Sequence, residues 1–460
     1  MVNETARKSG SPDFTEQNPG RRTVSLIDAI ALTIGVVIGA GIFRTPSVVA
    51  ASSGGETTAL LIWLFGGLVS FVGALCYAEL GSAYPHSGGE YHYLFRAFGG
   101  SPAFLFAWSR MTVIQTGSIA TLAFLIGDYI TQIFRLGEYS SAWYACMLII
   151  MVTAVNIAGV RQGMWTQKIL TTAIIVGLLS VAGAGLILAA PSGPSGISSH
   201  PTFSGFGRAM IFVLFTYGGW NEAAYLSAEV RDKRQTIARA LMVSIGVVTV
   251  IYLIMNITLI KGLGLTAVAE SDAVAADLMR RMFGESGARF ISLLIVIAAA
   301  STMNGVVITG ARTNYALGRD YVLFSFMGRW REKGSTPVNA LLLQGAIALV
   351  LVAVGALSHN GFVMMVEYTA PVFWLFFFLT GVSLMTLRRS EPGTERPFKV
   401  PLYPAIPLLF CAFCLYMLHA SLAYTGVGAV IGVVVLLAGA PLLWVSKRRV
   451  NDNPTNGNQP

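Results

Sequence analysis

Two short stretches inside long apolar runs offer backbone groups for binding. The first is Gly35-Val-Val-Ile-Gly39-Ala-Gly41-Ile-Phe43, whose three glycines weaken a helix, since each costs about 0.8–1 kcal/mol relative to Ala in a helix interior. Free N–H groups at the start of a half-helix attract an anion such as a carboxylate. Gly35 and Gly39 also form a GxxxG pair, which packs helices closely. This stretch alone leaves both interpretations open.

The second stretch is Phe215-Thr-Tyr-Gly218-Gly219-Trp-Asn221-Glu222. Two adjacent glycines followed by Asn and Glu do not suit a plain packed membrane helix. Unwound backbone at membrane depth is tolerated only where protein surrounds it or it lines a wet cavity. Matching interruptions in two halves of a chain are typical of transporter sites built on inverted repeats. The two interruptions together therefore favour a binding site over simple close packing at the first stretch.

The rest of the chain has the composition of a protein that crosses a membrane many times. Its 460 residues are 54% hydrophobic and 12% charged, whereas a soluble domain averages about 25% charged. A hydrocarbon core about 30 Å thick requires about 20 apolar residues per helix. We therefore predict an all-α polytopic membrane protein with twelve transmembrane helices, near residues 25–51, 57–80, 102–133, 140–159, 166–190, 206–230, 237–263, 286–315, 338–358, 361–386, 404–424 and 426–446.

The formal charge of +9 does not indicate nucleic acid as a partner, because the basic residues lie mostly in short loops between spans. Lys and Arg cluster in the N-terminal tail, after the sixth, eighth and tenth spans, and in the C-terminal tail. With an even number of spans these clusters share one side, so we expect both termini to be cytoplasmic in the cell inner membrane. Residues 1–20 are polar and lack the apolar core of a secretory signal peptide.

Two connecting segments are expected to form surface helices. Residues 87–96 mix polar and aromatic side chains and predict a short helix at the cytoplasmic interface, with its tyrosines at headgroup level. Residues 264–285 carry acidic and basic side chains and predict an amphipathic helix on the outer side.

Ionisable and polar residues inside spans are candidates for function. Arg110 either snorkels to the interface or serves the site. Glu222 adjoins the second break and either stabilises it, couples a proton or binds a cationic substrate. Ser301 and Thr302 either line a cavity and hold a cation or simply bond neighbouring helices. Glu79 lies near a helix end close to basic loops, which favours a gate or anchor salt bridge over a role in chemistry.

No enzyme signature competes with this interpretation. The five histidines show no metal-ligand spacing, and the sequence has neither a phosphate-binding loop ending in Lys-Ser/Thr nor a Gly-x-Ser-x-Gly elbow. We therefore expect no metal, no cofactor and no catalytic residue. A channel would show a repeated pore loop or charge ring, and we find none. The four cysteines fall inside apolar spans and are expected to behave as small hydrophobes.

The two broken stretches, together with Gly73-Ala-Leu-Cys-Tyr-Ala-Glu-Leu-Gly81 and Glu395-Arg-Pro-Phe-Lys-Val400, resemble the L-amino-acid transporter (LAT) branch of the amino acid–polyamine–organocation superfamily. The resemblance runs in order over nearly the whole chain. It implies the LeuT-type fold, with two inverted five-helix repeats and two peripheral helices. The domains would be a tail at 1–24, a transport core at 25–400, two helices at 401–446 and a tail at 447–460.

The resemblance also implies a binding scheme for an amino acid. The carboxylate would sit on the N–H groups of Gly39, Ala40 and Gly41, and the ammonium near the carbonyls of Ile38, Phe215 and Thr216. Phe215 matches the aromatic that closes over the substrate, Asn221 matches a brace of the unwound segment, and Gly218 lies within that segment. A zwitterion needs opposed partial charges at short range, which paired half-helix ends supply.

The sequence departs from the family pattern in three places. The loop 134–139 has no Cys, so we expect no disulfide-linked heavy subunit. Ile174 stands where many relatives carry a Lys beside the first break, and Arg110 stands where animal members would have a Glu. The missing cation admits three replacements: charge from Arg110, Na⁺ near Ser301 and Thr302, or a proton on Glu222.

The sequence thus predicts a secondary transporter of neutral L-amino acids, working by alternating access as an exchanger or a proton-linked carrier. Glu222 is the coupling candidate, because a proton needs only one carboxyl in a poorly solvated place. A cationic amino acid or polyamine transporter is the alternative.

Overall fold

The structure, a computed structural model, describes residues 25–39, 41–86, 88–188, 203–226, 235–271, 273–332, 334, 336–357, 361–424 and 426–446. Both predicted tails and Ala40 lie outside these ranges. The described chain is almost wholly helical, with one isolated bridge of strand type between Arg331 and Thr336.

The α-helices are α1 (Leu26–Val37), α2 (Gly41–Ser53), α3 (Glu56–Ala83), α4 (Glu90–Phe98), α5 (Gly100–Ser109), α6 (Gln115–Ile133), α7 (Ser140–Ala158), α8 (Val160–Leu188), α9 (Phe203–Tyr217), α10 (Gln235–Leu263), α11 (Leu265–Glu270), α12 (Val274–Asp320), α13 (Val338–Ala356), α14 (Gly361–Ser390), α15 (Ala405–Tyr424), α16 (Val427–Leu437) and α17 (Gly439–Val445). A π-helical turn (Arg110–Ile114) joins α5 to α6. A 3₁₀ segment (Trp220–Leu226) follows α9, and another (Val322–Phe324) follows α12.

Ten helices in the described ranges are long and apolar enough to cross a hydrocarbon core. Helices α1 and α2 form a further candidate span, bent by 48° at their break. Helix α9 has 15 residues, fewer than the roughly 20 that span a bilayer alone. The all-helical polytopic membrane fold is confirmed, whereas the count of twelve spans and the inverted repeat stay predictions.

The broken segments lie in the middle of the helix packing. Helix α1 packs against α8, α10 and α12, while α2 packs against α9. The last three helices lie at the periphery, where α15 contacts α14 and α3, α16 contacts α14, and α17 contacts α5. Helix α1 begins at a capping box, because Ser25 Oγ accepts from the Asp28 N–H at 3.2 Å and Asp28 accepts from the Ser25 N–H at 3.1 Å.

The two predicted surface helices have different outcomes. Residues 264–285 contain α11 and the start of α12, where Arg280 pairs with Asp277 and Glu285 at 2.8 Å each. The short helix near 87–96 is present as α4, but its predicted environment is wrong. Tyr91 and Tyr93 are buried in protein rather than placed at headgroup level, because α4 packs against α5 and α14.

Glu79 anchors the segment that contains the Glu395–Val400 motif, as its position near basic loops predicts. Its carboxylate is fully buried and accepts from Arg388 Nε at 2.7 Å, with Arg396 Nε 3.5 Å away. The Val400 N–H also donates to Glu79, at 2.7 Å. One carboxylate on α3 therefore fixes the chain between α14 and α15.

We expect Glu79→Gln to lower the thermal stability of the purified protein. Two guanidinium groups would lose their shared counter-charge, and breaking a buried ion pair costs about 3 kcal/mol or more. The measurement is the apparent melting temperature in detergent. Glu391→Gln is the matched control, since its pair with Arg96 is partly exposed and such pairs contribute about 1 kcal/mol or less. Equal melting temperatures for the two variants would contradict the anchoring role.

Candidate functional site

The first break is a non-helical connection after Val37. Helix α1 ends there, Ile38 has φ −77° and ψ 78°, and α2 starts at Gly41. The N–H of Gly39 donates to Val37 O at 2.8 Å. The amide of Gly39 is therefore engaged within the break, while the first N–H groups of α2 have no partner inside their own helix.

The carbonyl groups at the end of α1 accept hydrogen bonds from side chains of α12. Thr302 Oγ1 donates to Val36 O at 3.0 Å and lies 3.3 Å from Gly35 O, and Ser301 Oγ lies 3.2 Å from Gly35 O. Both predicted cation ligands thus serve as donors to carbonyls that the break leaves free. In this arrangement the two hydroxyls bond a neighbouring helix, as the interpretation without a cation predicts.

A polar network continues from Ser301 into α8 and α7. Gln167 Nε2 donates to Ser301 Oγ at 3.0 Å, and Asn304 Nδ2 donates to Gln167 Oε1 at 3.0 Å. Asn156 Nδ2 donates to Asn304 Oδ1 at 2.9 Å. Ile174, further along α8, is buried. Near the first break, α1 is therefore held by neutral amides and hydroxyls, whereas at its start Asp28 pairs with Lys168 of α8 at 2.6 Å.

The second break follows α9, and it lies directly against the first. The Gly218 N–H donates to Phe215 O at 3.0 Å, and Gly219 has φ +100°, a conformation that favours glycine. A Cβ atom at Gly219 would lie 2.7 Å from the Val36 side chain. The hydroxyls of Thr45 and Thr216 are 2.7 Å apart. Glycine is thus required here by both backbone conformation and close approach.

Close approach also governs the glycines of the first break. A Cβ atom would lie 2.0 Å from Thr171 Oγ1 at Gly35, 2.9 Å from Thr302 Oγ1 at Gly39 and 2.7 Å from Thr216 Oγ1 at Gly41. The packing role that the GxxxG spacing allows is therefore present at Gly35, and it coexists with a break at Gly39.

Tyr252 of α10 connects the two breaks, and the sequence reasoning missed it. Its fully buried hydroxyl lies 2.9 Å from Val37 O and 3.0 Å from Thr216 O. Its ring packs against Trp63 and Tyr217, with centroids 5.5 and 5.0 Å away. A tyrosine in an apolar helix gives no signal in one sequence, because its partners are backbone atoms of distant segments.

The structure brings most of the predicted binding residues together. Gly41 of the first break lies against Thr216 of the second, and Gly219 lies against Val36, while Gly39 lies against Thr302 of α12. Phe215 keeps 38% of its surface exposed, which suits a side chain that moves over a ligand. Ala40 lies outside the described residues. Asn221 does not face the first break through any described hydrogen bond; it points into a charged cluster.

That cluster consists of Arg110, Glu222 and Glu90, which we call the charge cluster. Arg110 Nη2 donates to both carboxylate oxygens of Glu222, at 3.0 and 2.7 Å. Arg110 Nη1 lies 3.6 Å from Glu90 Oε2. These side chains are at most 7% exposed. Snorkelling of Arg110 is therefore excluded, and Arg110 and Glu222 are partners rather than independent candidates.

Two tyrosines complete the charge cluster. Tyr77 of α3 and Tyr225 of the 3₁₀ segment donate to the two oxygens of Glu90. The Arg110 guanidinium stands over the Tyr225 ring, 4.0 Å from its centroid. Asn221 Nδ2 is 3.5 Å from Glu90 Oε2. The sequence-based prediction of an interfacial helix at 87–96 does not include a role for Glu90; the available signal is an acidic residue directly after two glycines.

These features define a class of membrane protein: two broken helices meet in the middle of the helix packing, and a buried ion cluster adjoins the second break. That is the architecture of a carrier rather than of an enzyme. The chain belongs to the amino acid permease family, whose model matches residues 24–445.

Several curated proteins are similar to this chain over most of its length. The b(0,+)-type amino acid transporter 1 of Rattus norvegicus is 30% identical, over 85% of this chain and 82% of that protein. The serine/threonine exchanger SteT of Bacillus subtilis (strain 168) is 26% identical, over 95% and 99%. The large neutral amino acids transporter small subunit 2 of Mus musculus is 29% identical, over 92% and 81%. The resemblance to L-amino-acid transporters is confirmed.

We expect Tyr252→Phe to reduce transport by about tenfold or more, because small misplacements of a binding site have effects of this size. The variant keeps the aromatic packing but removes the hydroxyl between the two breaks, leaving buried carbonyls less satisfied at a cost of about 1–3 kcal/mol. Uptake by purified protein in liposomes measures the effect.

The matched control is Tyr144→Phe, which removes a hydroxyl that donates to Phe134 O at 2.9 Å in an exposed position. That control should transport normally. If Tyr252→Phe transports as fast as the control, the hydroxyl does not hold the two breaks together for function.

Proposed function

We propose that this protein moves neutral L-amino acids across a membrane by alternating access, as an exchanger or a proton-linked carrier. The observation that carries the proposal is the contact between the two breaks, at Gly219 and Val36. Together with the contact of Gly41 with Thr216, it brings the N-terminus of α2 next to the ends of α1 and α9. An amino acid zwitterion needs both kinds of partner at short range.

In this proposal the substrate carboxylate binds N–H groups at Ala40 and Gly41, with Gly39 supplying its amide if its bond to Val37 O opens. The ammonium binds carbonyls near Ile38, Phe215 and Thr216, each of which has lone pairs for more than one donor. Gly218 leaves room for the substrate, and Phe215 closes over it. The relatives named above as amino acid transporters and as an exchanger support this assignment.

The position of Glu222 supports a neutral substrate. A cationic side chain would need a free carboxylate near the second break, but both oxygens of Glu222 bind Arg110, and the two oxygens of Glu90 accept from Tyr77 and Tyr225. Displacing Arg110 would leave a buried guanidinium without its partner, which is costly. We therefore keep neutral amino acids as the substrate class and treat a cationic amino acid or polyamine as the alternative.

The distribution of Lys and Arg supports insertion in the cell inner membrane with both termini in the cytoplasm. No disulfide-linked heavy subunit is expected. The cysteines Cys76, Cys146, Cys411 and Cys414 are free in this structure and belong to α3, α7 and α15, and the loop 134–139 has none.

The test is counterflow in proteoliposomes. Vesicles loaded with one unlabelled amino acid are diluted into a trace of the labelled form, across a panel of neutral, cationic and anionic amino acids and a polyamine. Saturable accumulation of neutral amino acids alone supports the proposal. Accumulation of lysine or a polyamine in preference would establish the alternative, and a single-channel current without counterflow would refute a carrier.

We expect Phe215→Ala to raise the substrate concentration for half-maximal uptake by about tenfold, equivalent to about 1.4 kcal/mol of binding energy. The aromatic ring excludes water from a bound zwitterion, so its loss weakens binding without removing a charge. Phe290→Ala is the control, because Phe290 is 46% exposed on α12. Near-normal kinetics in Phe215→Ala would remove Phe215 from the site.

We also expect the purified chain alone to perform counterflow. The described cysteines are free, and the loop at the end of α6 has none to bond a partner. The measurement compares the protein reconstituted alone with the same preparation after a membrane extract of the host is added. Activity that arises only with the extract would show that this chain depends on a partner.

A further inference from the structure

The charge cluster holds more negative than positive groups. Its charged members are the carboxyls of Glu90 and Glu222 and the guanidinium of Arg110, and their side chains are between 2 and 7% exposed. Arg110 stays protonated in proteins. With both carboxyls ionised the cluster would carry one uncompensated negative charge away from water. Such a charge is usually removed by uptake of a proton.

The geometry distinguishes the two carboxyls. Glu222 binds one guanidinium nitrogen through both oxygens, and Arg110 can only donate, so a proton on Glu222 would disrupt this pairing. Glu90 lies 3.6 Å from Arg110 and is bonded mainly by the hydroxyls of Tyr77 and Tyr225. A hydroxyl can turn from donor to acceptor, so this environment suits either protonation state of Glu90.

Asn221 supplies a second, independent indication. Its buried amide points at Glu90, with Nδ2 3.5 Å from Oε2, and its Oδ1 has no hydrogen-bond partner among the described residues. The two ends of an amide are assigned from the hydrogen-bond network. Turned end for end, Asn221 would present Oδ1 to accept a bond from a protonated Glu90, so this amide can face either protonation state of that carboxyl.

We propose that Glu90 is the proton-binding residue of this transporter and that its protonation is coupled to amino acid transport. The inference rests on the proposed function and names its coupling ion. The proton comes from the aqueous phase and goes to one oxygen of Glu90, with no other bond made or broken. Glu222 remains in the charge cluster as the partner of Arg110 rather than as the proton carrier.

The charged groups and hydroxyls of the charge cluster that face Glu90 lie on three other elements. Tyr77 lies on α3, Arg110 on the π-helical turn, and Glu222 and Tyr225 on the 3₁₀ segment that follows the second break. Burial raises the pKa of Glu90, while Arg110 and the tyrosine hydrogen bonds act in the opposite direction. Protonation of Glu90 thus changes the bonding between α4 and the 3₁₀ segment beside the binding site.

The experiment compares wild type with Glu90→Gln, which imitates the protonated carboxyl and leaves Arg110 paired with Glu222. The matched control is Glu391→Gln, which removes a carboxylate that pairs with Arg96 of α4 at a partly exposed position. Counterflow with equal pH on both sides tests the proposed function. Net uptake with and without an inward proton gradient tests this inference. If wild type shows no counterflow, the proposed function is wrong. The proposal about Glu90 is tested by the effect of the proton gradient on net uptake.

We expect the gradient to stimulate uptake severalfold in wild type and Glu391→Gln. Glu90→Gln should keep counterflow and lose the stimulation, while Glu222→Gln should lose most transport because Arg110 loses its two-oxygen partner. Wild-type uptake that ignores the gradient overturns the proposal. So does stimulation that survives in Glu90→Gln, which would point to the stacked His86 and His92 rings, 4.2 Å apart. An active Glu222→Gln that alone loses the stimulation would assign the proton to Glu222.

Discussion

The structure depends on one constraint: every backbone group that a broken helix frees inside a membrane must find a partner in the protein. The carbonyls at the end of α1 are met by hydroxyls of Ser301, Thr302 and Tyr252. These donors come from α12 and α10, so both helices must lie against α1. The arrangement of the central helices is thus dictated by the bonding of one helix end.

The same constraint acts on charge. Arg110 and Glu79 are both buried, and each lies within an ion-pair network that joins distant parts of the chain. Both oxygens of the Glu79 carboxylate have partners, which are two guanidinium groups and a backbone N–H. The network of Arg110 carries an excess carboxyl. The carboxylate of Glu79 thus has more guanidinium partners than it needs for charge balance, whereas Arg110 is shared between two carboxyls.

The sequence was informative where the signal was local. Apolar runs located the spans, paired glycines located both breaks, and ordered motifs gave the family. It did not show the partners of Glu90 and Tyr252, because these partners lie on other elements and one sequence does not show how each helix is rotated. Arg110 is an example: the sequence shows that it lies inside a long apolar helix, but only the packing of the helices shows that it faces Glu222.

The π-helical turn at Arg110–Ile114 restricts how the length of this segment can change. Such a turn holds one residue more than an α-helix would, and a residue corresponds to about 100° of helix rotation. Arg110, the first residue of the turn, contacts Glu222, and Gln115, which follows the turn, bonds Thr309 Oγ1 at 3.1 Å. A one-residue deletion here would turn these two contacts apart. The extra residue therefore fixes the rotation of α6 relative to Arg110, and this segment cannot change by one residue without the loss of one of the two contacts.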